Sequence, residues 1–161
     1  MKLIFDNDSQ PFVNVEETLD ESTGQRSKKY KIQGVFSTIG EKNRNGRIYP
    51  RNLWETEVNK YQNNFETGSI NTLMEYEHPA RTHVDPMEAV AKITSLKIKD
   101  KYVIGEAVLL NNAKANQLKS LIDEGIKISV SSRGVGSVKN GIVENFKLVT
   151  YDVVATPSDY N

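Results

Sequence analysis

The chain has 161 residues, with 21 Lys and Arg balanced by 21 Asp and Glu, and no cysteine. That length supports one domain with a real core. The charge balance leaves no electrostatic footprint for nucleic acid or an anionic membrane, and the missing thiols exclude disulfides, thiolate zinc sites and cysteine nucleophiles. No apolar run approaches a membrane span, and Leu3-Ile4-Phe5 is too short for a secretory core before the chain turns acidic.

Residues 7–28 are polar and turn-rich, with Glu21-Ser22-Thr23-Gly24-Gln25 marking a mobile arm or a hairpin tip. Tyr30 to Ser37 alternates Tyr30 and Ile32 before Val35-Phe36 and reads as a strand. Asn43-Arg44-Asn45-Gly46-Arg47 is a turn dense in cations. It either binds a substrate carboxylate or makes a tight entry into the next element. Pro50 fits the first turn of a helix, where its missing N–H costs nothing. Trp54, Val58, Tyr61 and Phe65 then form one helical face, and Gly68 ends it.

Ile70 to Tyr76 predicts a strand running into His78. Val90–Ile98 and Tyr102–Leu110, joined by Lys99-Asp100-Lys101, predict an antiparallel hairpin. Ala115, Leu118, Leu121 and Ile122 make a second helical stripe, with Gly125 at its C-terminal end. Ile128 to Val138 is extended but carries Gly134 and Gly136, so it should bend or bulge. Asn140-Gly141 is the strongest hairpin signal, and Ile142 to Ala155 returns as one or two strands. The expected fold is mainly β with surrounding helices (α+β), closed or partly closed as a β-barrel.

Candidate chemistry gathers in two segments. In Val130-Ser131-Ser132-Arg133-Gly134 a hydroxyl lies just before a glycine-rich bend. Such a hydroxyl needs a base within reach to act as a nucleophile, and a bend frees N–H groups for an oxyanion. The same residues also suit a bulged edge strand. His78 is followed by Pro79, which biases it to extended backbone. Its imidazole titrates near neutrality, as does that of His83. Either is a candidate base, or a loop histidine. Glu77, His78, His83 and Asp85 are potential metal ligands, but no H-E-x-x-H motif supports them. Asp152 lies in an apolar strand, where parity groups it with Phe146, Leu148 and Val154. A carboxylate there is costly to bury without a partner, unless it sits at a solvated rim. Glu75, Glu77 and Glu144 are competing carboxylates.

Three strings resemble one known family: Asn43-Arg44-Asn45-Gly46-Arg47-Ile48-Tyr49-Pro50, then Glu77-His78-Pro79-Ala80-Arg81 leading to Val84-Asp85-Pro86-Met87, then Val130-Ser131-Ser132-Arg133-Gly134-Val135-Gly136-Ser137. The chain is similar to the prohead (capsid-maturation) proteases of large tailed bacteriophages, a family related in fold to the herpesvirus assembly proteases. The resemblance implies a serine endopeptidase on a helix-wrapped β-barrel, with residues 1–28 a variable arm or hairpin and 29–161 a single protease domain. It implies His78 as base, Ser131 as nucleophile and Asp152 as third member, with Ser132, Arg133 and Gly134 around the oxyanion, and neither metal nor cofactor. Its implied substrates are scaffold and capsid proteins and the chain itself, cut as a homo-oligomer inside the prohead in the host cytoplasm. Nucleic acid and membrane are not implied partners. Family members of the T-even type cut after a Leu/Ile-x-Glu pattern, which makes Leu19-Asp20-Glu21 the candidate for self-cleavage. The alternative is an inactive structural or scaffold-binding capsid component of the same fold.

Overall fold

The computed structural model describes residues 2–7, 9–68 and 72–155. In chain order the elements are β1 (Lys2–Asp6), β2 (Gln10–Leu19), β3 (Arg26–Thr38), α1 (Arg51–Thr67), β4 (Leu73–Glu75), β5 (Ala89–Lys99), β6 (Tyr102–Leu109), α2 (Ala113–Asp123), β7 (Ile128–Lys139) and β8 (Ile142–Ala155). They form a three-stranded sheet, β1-β7-β8, and a five-stranded sheet, β2-β3-β6-β5-β4.

Local chemistry explains most boundaries. Pro50 stands at the N-cap position of α1 in extended conformation, without a side-chain capping hydrogen bond, and Gly68 ends the helix at φ 64, a left-handed conformation that glycine adopts without strain. Asn112 caps α2 by accepting from the Ala115 N–H. Asn140 and Gly141 both have positive φ, 53 and 79, as a two-residue hairpin turn requires. β2 and β3 form a hairpin paired from Gln10↔Val35 to Leu19↔Arg26, whose outer half is exposed. β1 is an edge strand of the smaller sheet, paired with β7 from Lys2↔Gly136 to Asp6↔Ser132.

The fold is mainly β with two helices, as expected, but the strands do not close into a barrel. Among the described residues the two sheets meet through one parallel bridge, Tyr76↔Val153, rather than a continuous ladder. β4 is only three residues long, so it cannot pair along the 14-residue β8. The core lies between the sheets and α1. Trp54, 1% exposed, stacks on Tyr49 and Tyr151 and meets the edge of Phe146. Burying one such ring contributes about 5 kcal/mol of transfer free energy.

Phe146 and Tyr151 are five residues apart, yet both pack on Trp54. Strict alternation would send them to opposite faces. The ladder explains it: Arg133 pairs with Thr150 but Gly134 pairs with Leu148, so Val149 is an extra residue on β8. This bulge reverses strand parity. Asp152 therefore does not share a face with Phe146 and Leu148, contrary to the simple pattern. α1 satisfies the bulge's backbone: the Leu148 N–H donates to Glu57 Oε1 at 2.8 Å, and the Tyr61 hydroxyl donates to the Val149 carbonyl at 2.9 Å.

Candidate active site

The small sheet has two faces with different contents. On the core side, Gly134 lies so close to Phe146 that an added Cβ would sit 2.2 Å from the ring. That contact, rather than a special φ, requires glycine there. On the other side lie Ser131 and Arg133 of β7. Asp152 is the direct cross-strand partner of Ser131, and Phe5 of β1 is paired with Arg133.

Residues 76–88 roof this second face. Tyr76 bridges to Val153, and the Glu77 N–H donates to the Val153 carbonyl at 2.8 Å. Val153 pairs with Val130, the neighbour of Ser131. Glu77 has φ 68, a left-handed conformation that costs a non-glycine residue roughly 1–2 kcal/mol. Immediately after it, the His78 ring packs on Phe5, with centroids 5.0 Å apart and planes at 54°. His78, Phe5, Arg133, Ser131 and Asp152 thus share one side of the sheet. His78 is exposed overall, but partial burial of its imidazole holds the pKa below its usual value; Glu77 opposes the shift and Arg133 reinforces it.

Ser131 is 1% exposed, and among the described residues its Oγ has no hydrogen-bond partner. A buried hydroxyl without a partner costs on the order of 1–3 kcal/mol, which marks it as a group kept for something other than stability. Ser132, its neighbour, turns the other way: its hydroxyl donates to the Asp6 carbonyl at 3.3 Å.

Arg133 is fully buried and its guanidinium is heavily engaged. NH2 donates to Glu75 Oε2 at 2.8 Å and to Asp152 Oδ1 at 3.0 Å. Nε lies 3.0 Å from Asp152 Oδ2, close enough for ion pairing but out of line for a hydrogen bond. NH1 faces three roof carbonyls, those of Pro79, Arg81 and His83, at 3.2, 3.2 and 3.4 Å. Glu75, 1% exposed, also pairs with Arg81 and accepts from the Asp85 N–H at 3.4 Å. Burial pushes Asp152 up to about 7; Arg133 works against this and Glu75 adds to it.

The other sequence candidates fall as follows. Glu77 is exposed beside His78, and Glu144 is exposed at the far end of β8. His83 is exposed on the roof and lines a cavity of about 530 Å³ with Leu73, Val84, Val135 and Lys147. Among the described residues no three of His, Asp or Glu gather as a metal site. Leu19-Asp20-Glu21 lies at the exposed tip of the β2–β3 hairpin. The segment around Asn43–Tyr49 does bind a carboxylate, but one from its own chain. Asp6 Oδ1 accepts from Asn45 Nδ2 at 2.7 Å and Arg47 NH1 at 2.8 Å, while Oδ2 accepts from the Tyr49 hydroxyl. Sequence patterns missed Phe5, Asp6 and Arg81, and gave Glu75 only as a rival carboxylate. Their partners lie 40 or more residues away in most cases, so no local spacing announces them.

A family model described as "Prohead core protein serine protease" matches residues 5–161. The chain is 35% identical over 136 residues to the prohead core protein protease of Enterobacteria phage T4, covering 79% of this chain and 64% of that protein. It thus spans somewhat less than two thirds of that relative's length. The structure of the bacteriophage T4 capsid assembly protease superposes with a TM-score of 0.81 at 30% identity, covering 96% of this chain and 98% of that one. The chain belongs to the prohead core protein serine protease family.

Proposed function

We propose that this protein is a serine endopeptidase of prohead assembly, cutting scaffold and capsid proteins of its own phage, and itself, inside the assembling prohead. One observation carries the proposal. The Ser131 hydroxyl is buried without a partner on the same sheet face as His78, whose ring packs on Phe5.

The mechanism is acyl transfer. His78 removes the Ser131 proton as Oγ attacks the peptide carbonyl. The tetrahedral oxyanion requires N–H donors, and β7 is a central strand paired through Gly134 with β1 on one side and β8 on the other, which commits the backbone expected to supply them to the sheet. Arg133 is too committed to its carboxylates and roof carbonyls to serve there. His78 then returns the proton to the leaving amine, and water, deprotonated by His78, releases the acyl group and restores Ser131. Asp152 is the third member. Its hydrogen bond goes to Arg133, so it reaches the imidazole only through that guanidinium, whose charge acts on His78.

The test is co-expression with the scaffold protein of the same phage, with product masses compared across variants. Ser131→Ala and His78→Ala should abolish cleavage, Ser132→Ala should retain it, and Asp152→Asn should slow it more than Glu77→Gln does. Unchanged cleavage in Ser131→Ala would remove the nucleophile assignment. A wild-type chain that leaves scaffold intact would favour a structural capsid component.

A further inference from the structure

The loop that carries His78 has little regular structure of its own. Between Glu77 and the 3-10 turn at Pro86–Glu88 it makes no ladder. Its fixed points are side chains from the two sheets. Glu75, at the end of β4, holds Arg81 with one carboxylate oxygen and Arg133 with the other. Arg133, on the strand of Ser131, returns to the carbonyls of Pro79, Arg81 and His83. One buried carboxylate therefore ties the segment after His78 to the strand of the nucleophile at two points. An arginine fork bound to a carboxylate fixes direction as well as distance.

We propose that Glu75 is a positioning residue of the reaction, acting through Arg133 and Arg81 to hold the His78 loop in register with Ser131. The proposal rests on the Ser131–His78 assignment above. Glu75 touches neither reacting group. It sets where the imidazole stands, and small misplacements of a base cost rate steeply. The charges acting on His78 are Glu77 on its own segment and Arg133 from β7. Glu75 and Asp152 neutralise Arg133 from β4 and β8, and Glu75 also pairs with Arg81 of the roof.

Phosphorylation of Ser131 by diisopropyl fluorophosphate, in which Oγ displaces fluoride from phosphorus, is followed by mass and reads nucleophile activation without needing the natural substrate. Glu75→Gln keeps the shape and removes the charge. It should slow labelling by roughly tenfold to a hundredfold. It should also lower the pH of half-maximal rate, because Arg133 then acts on His78 with one counter-charge fewer. Arg81→Gln cuts only the roof end of the tie and should slow labelling in the same direction, about tenfold. Arg81→Lys should lie nearer the wild type. If Glu75→Gln does not fold, Arg81→Gln and Arg81→Lys decide the matter. Unchanged rates in folded variants would overturn the proposal. So would a loss that follows melting temperature alone, with the pH of half-maximal rate unmoved. Failure of the wild type to label, or labelling that persists in Ser131→Ala, would instead overturn the Ser131 assignment itself.

Discussion

Replacing Arg133 with methionine gives the sharpest stability prediction. The substitution keeps much of the aliphatic length but removes the cation between Glu75 and Asp152, which are 1% and 0% exposed. Breaking a buried ion pair by deleting one partner costs about 3–5 kcal/mol. At about 2–4 °C per kcal/mol for a chain of this size, Arg133→Met should lower the melting temperature by roughly 10 °C at pH 8. The loss should shrink in acid. Arg133 is the main influence lowering Asp152, whose folded pKa is nevertheless raised to about 7. Without Arg133 it rises further. A carboxyl with a raised folded pKa is most costly above that value and is relieved as pH falls through it toward the unfolded value near 4. Calorimetric melts at pH 8 and pH 5 test this. A variant melting within about 3 °C of wild type at pH 8 would refute the reasoning, as would equal losses at both pH values.

Because His78 is held below its usual pKa, the neutral base should persist into mild acid. The acid limb of the pH–rate profile should fall below about 6.5; a limb at or above 7 would contradict it. Gly134→Ala would press its Cβ onto Phe146, 2.2 Å away. It should cost about 1–3 kcal/mol by chemical denaturation, and an unchanged midpoint would mean the ring has room to retreat. Cleavage after Glu21 should leave residues 1–21 bound to the remainder, since Asp6 is held by Asn45, Arg47 and Tyr49 and β1 is paired along β7. Size-exclusion chromatography of the cut protein would show whether the fragment elutes separately.

Elements specified by neighbouring residues were legible in the sequence. Pro50 and Gly68 bound α1, Asn140-Gly141 turns β7 into β8, and the β5–β6 hairpin follows its alternation. What was not legible depends on distant partners. β1 has only five residues, and its anchor at Asp6 comes from a segment about 40 positions later. Asp152 was singled out as a carboxylate in an apolar strand, but its companions were misjudged because nothing in Leu148-Val149-Thr150 signals an inserted residue. That insertion depends on Glu57 and Tyr61 of α1, which offer hydrogen bonds to its backbone. Arg133 stands beside Ser131 in the sequence, which suggests an oxyanion contact. Only the fold reveals how many internal partners it serves.

The adjacent serines carry a last consequence. Ser131 and Ser132 are chemically identical, and what separates them is which way the pleat turns. A one-residue slip of a strand exchanges its faces. A single codon lost or gained in β7 ahead of Ser131 would therefore leave both hydroxyls in the protein while exchanging the faces on which they stand, which on the proposed assignment turns the nucleophile away from His78. Such a chain would retain its serines, its histidine and most of its hydrogen-bonding groups. It would be silenced by arithmetic rather than by chemistry.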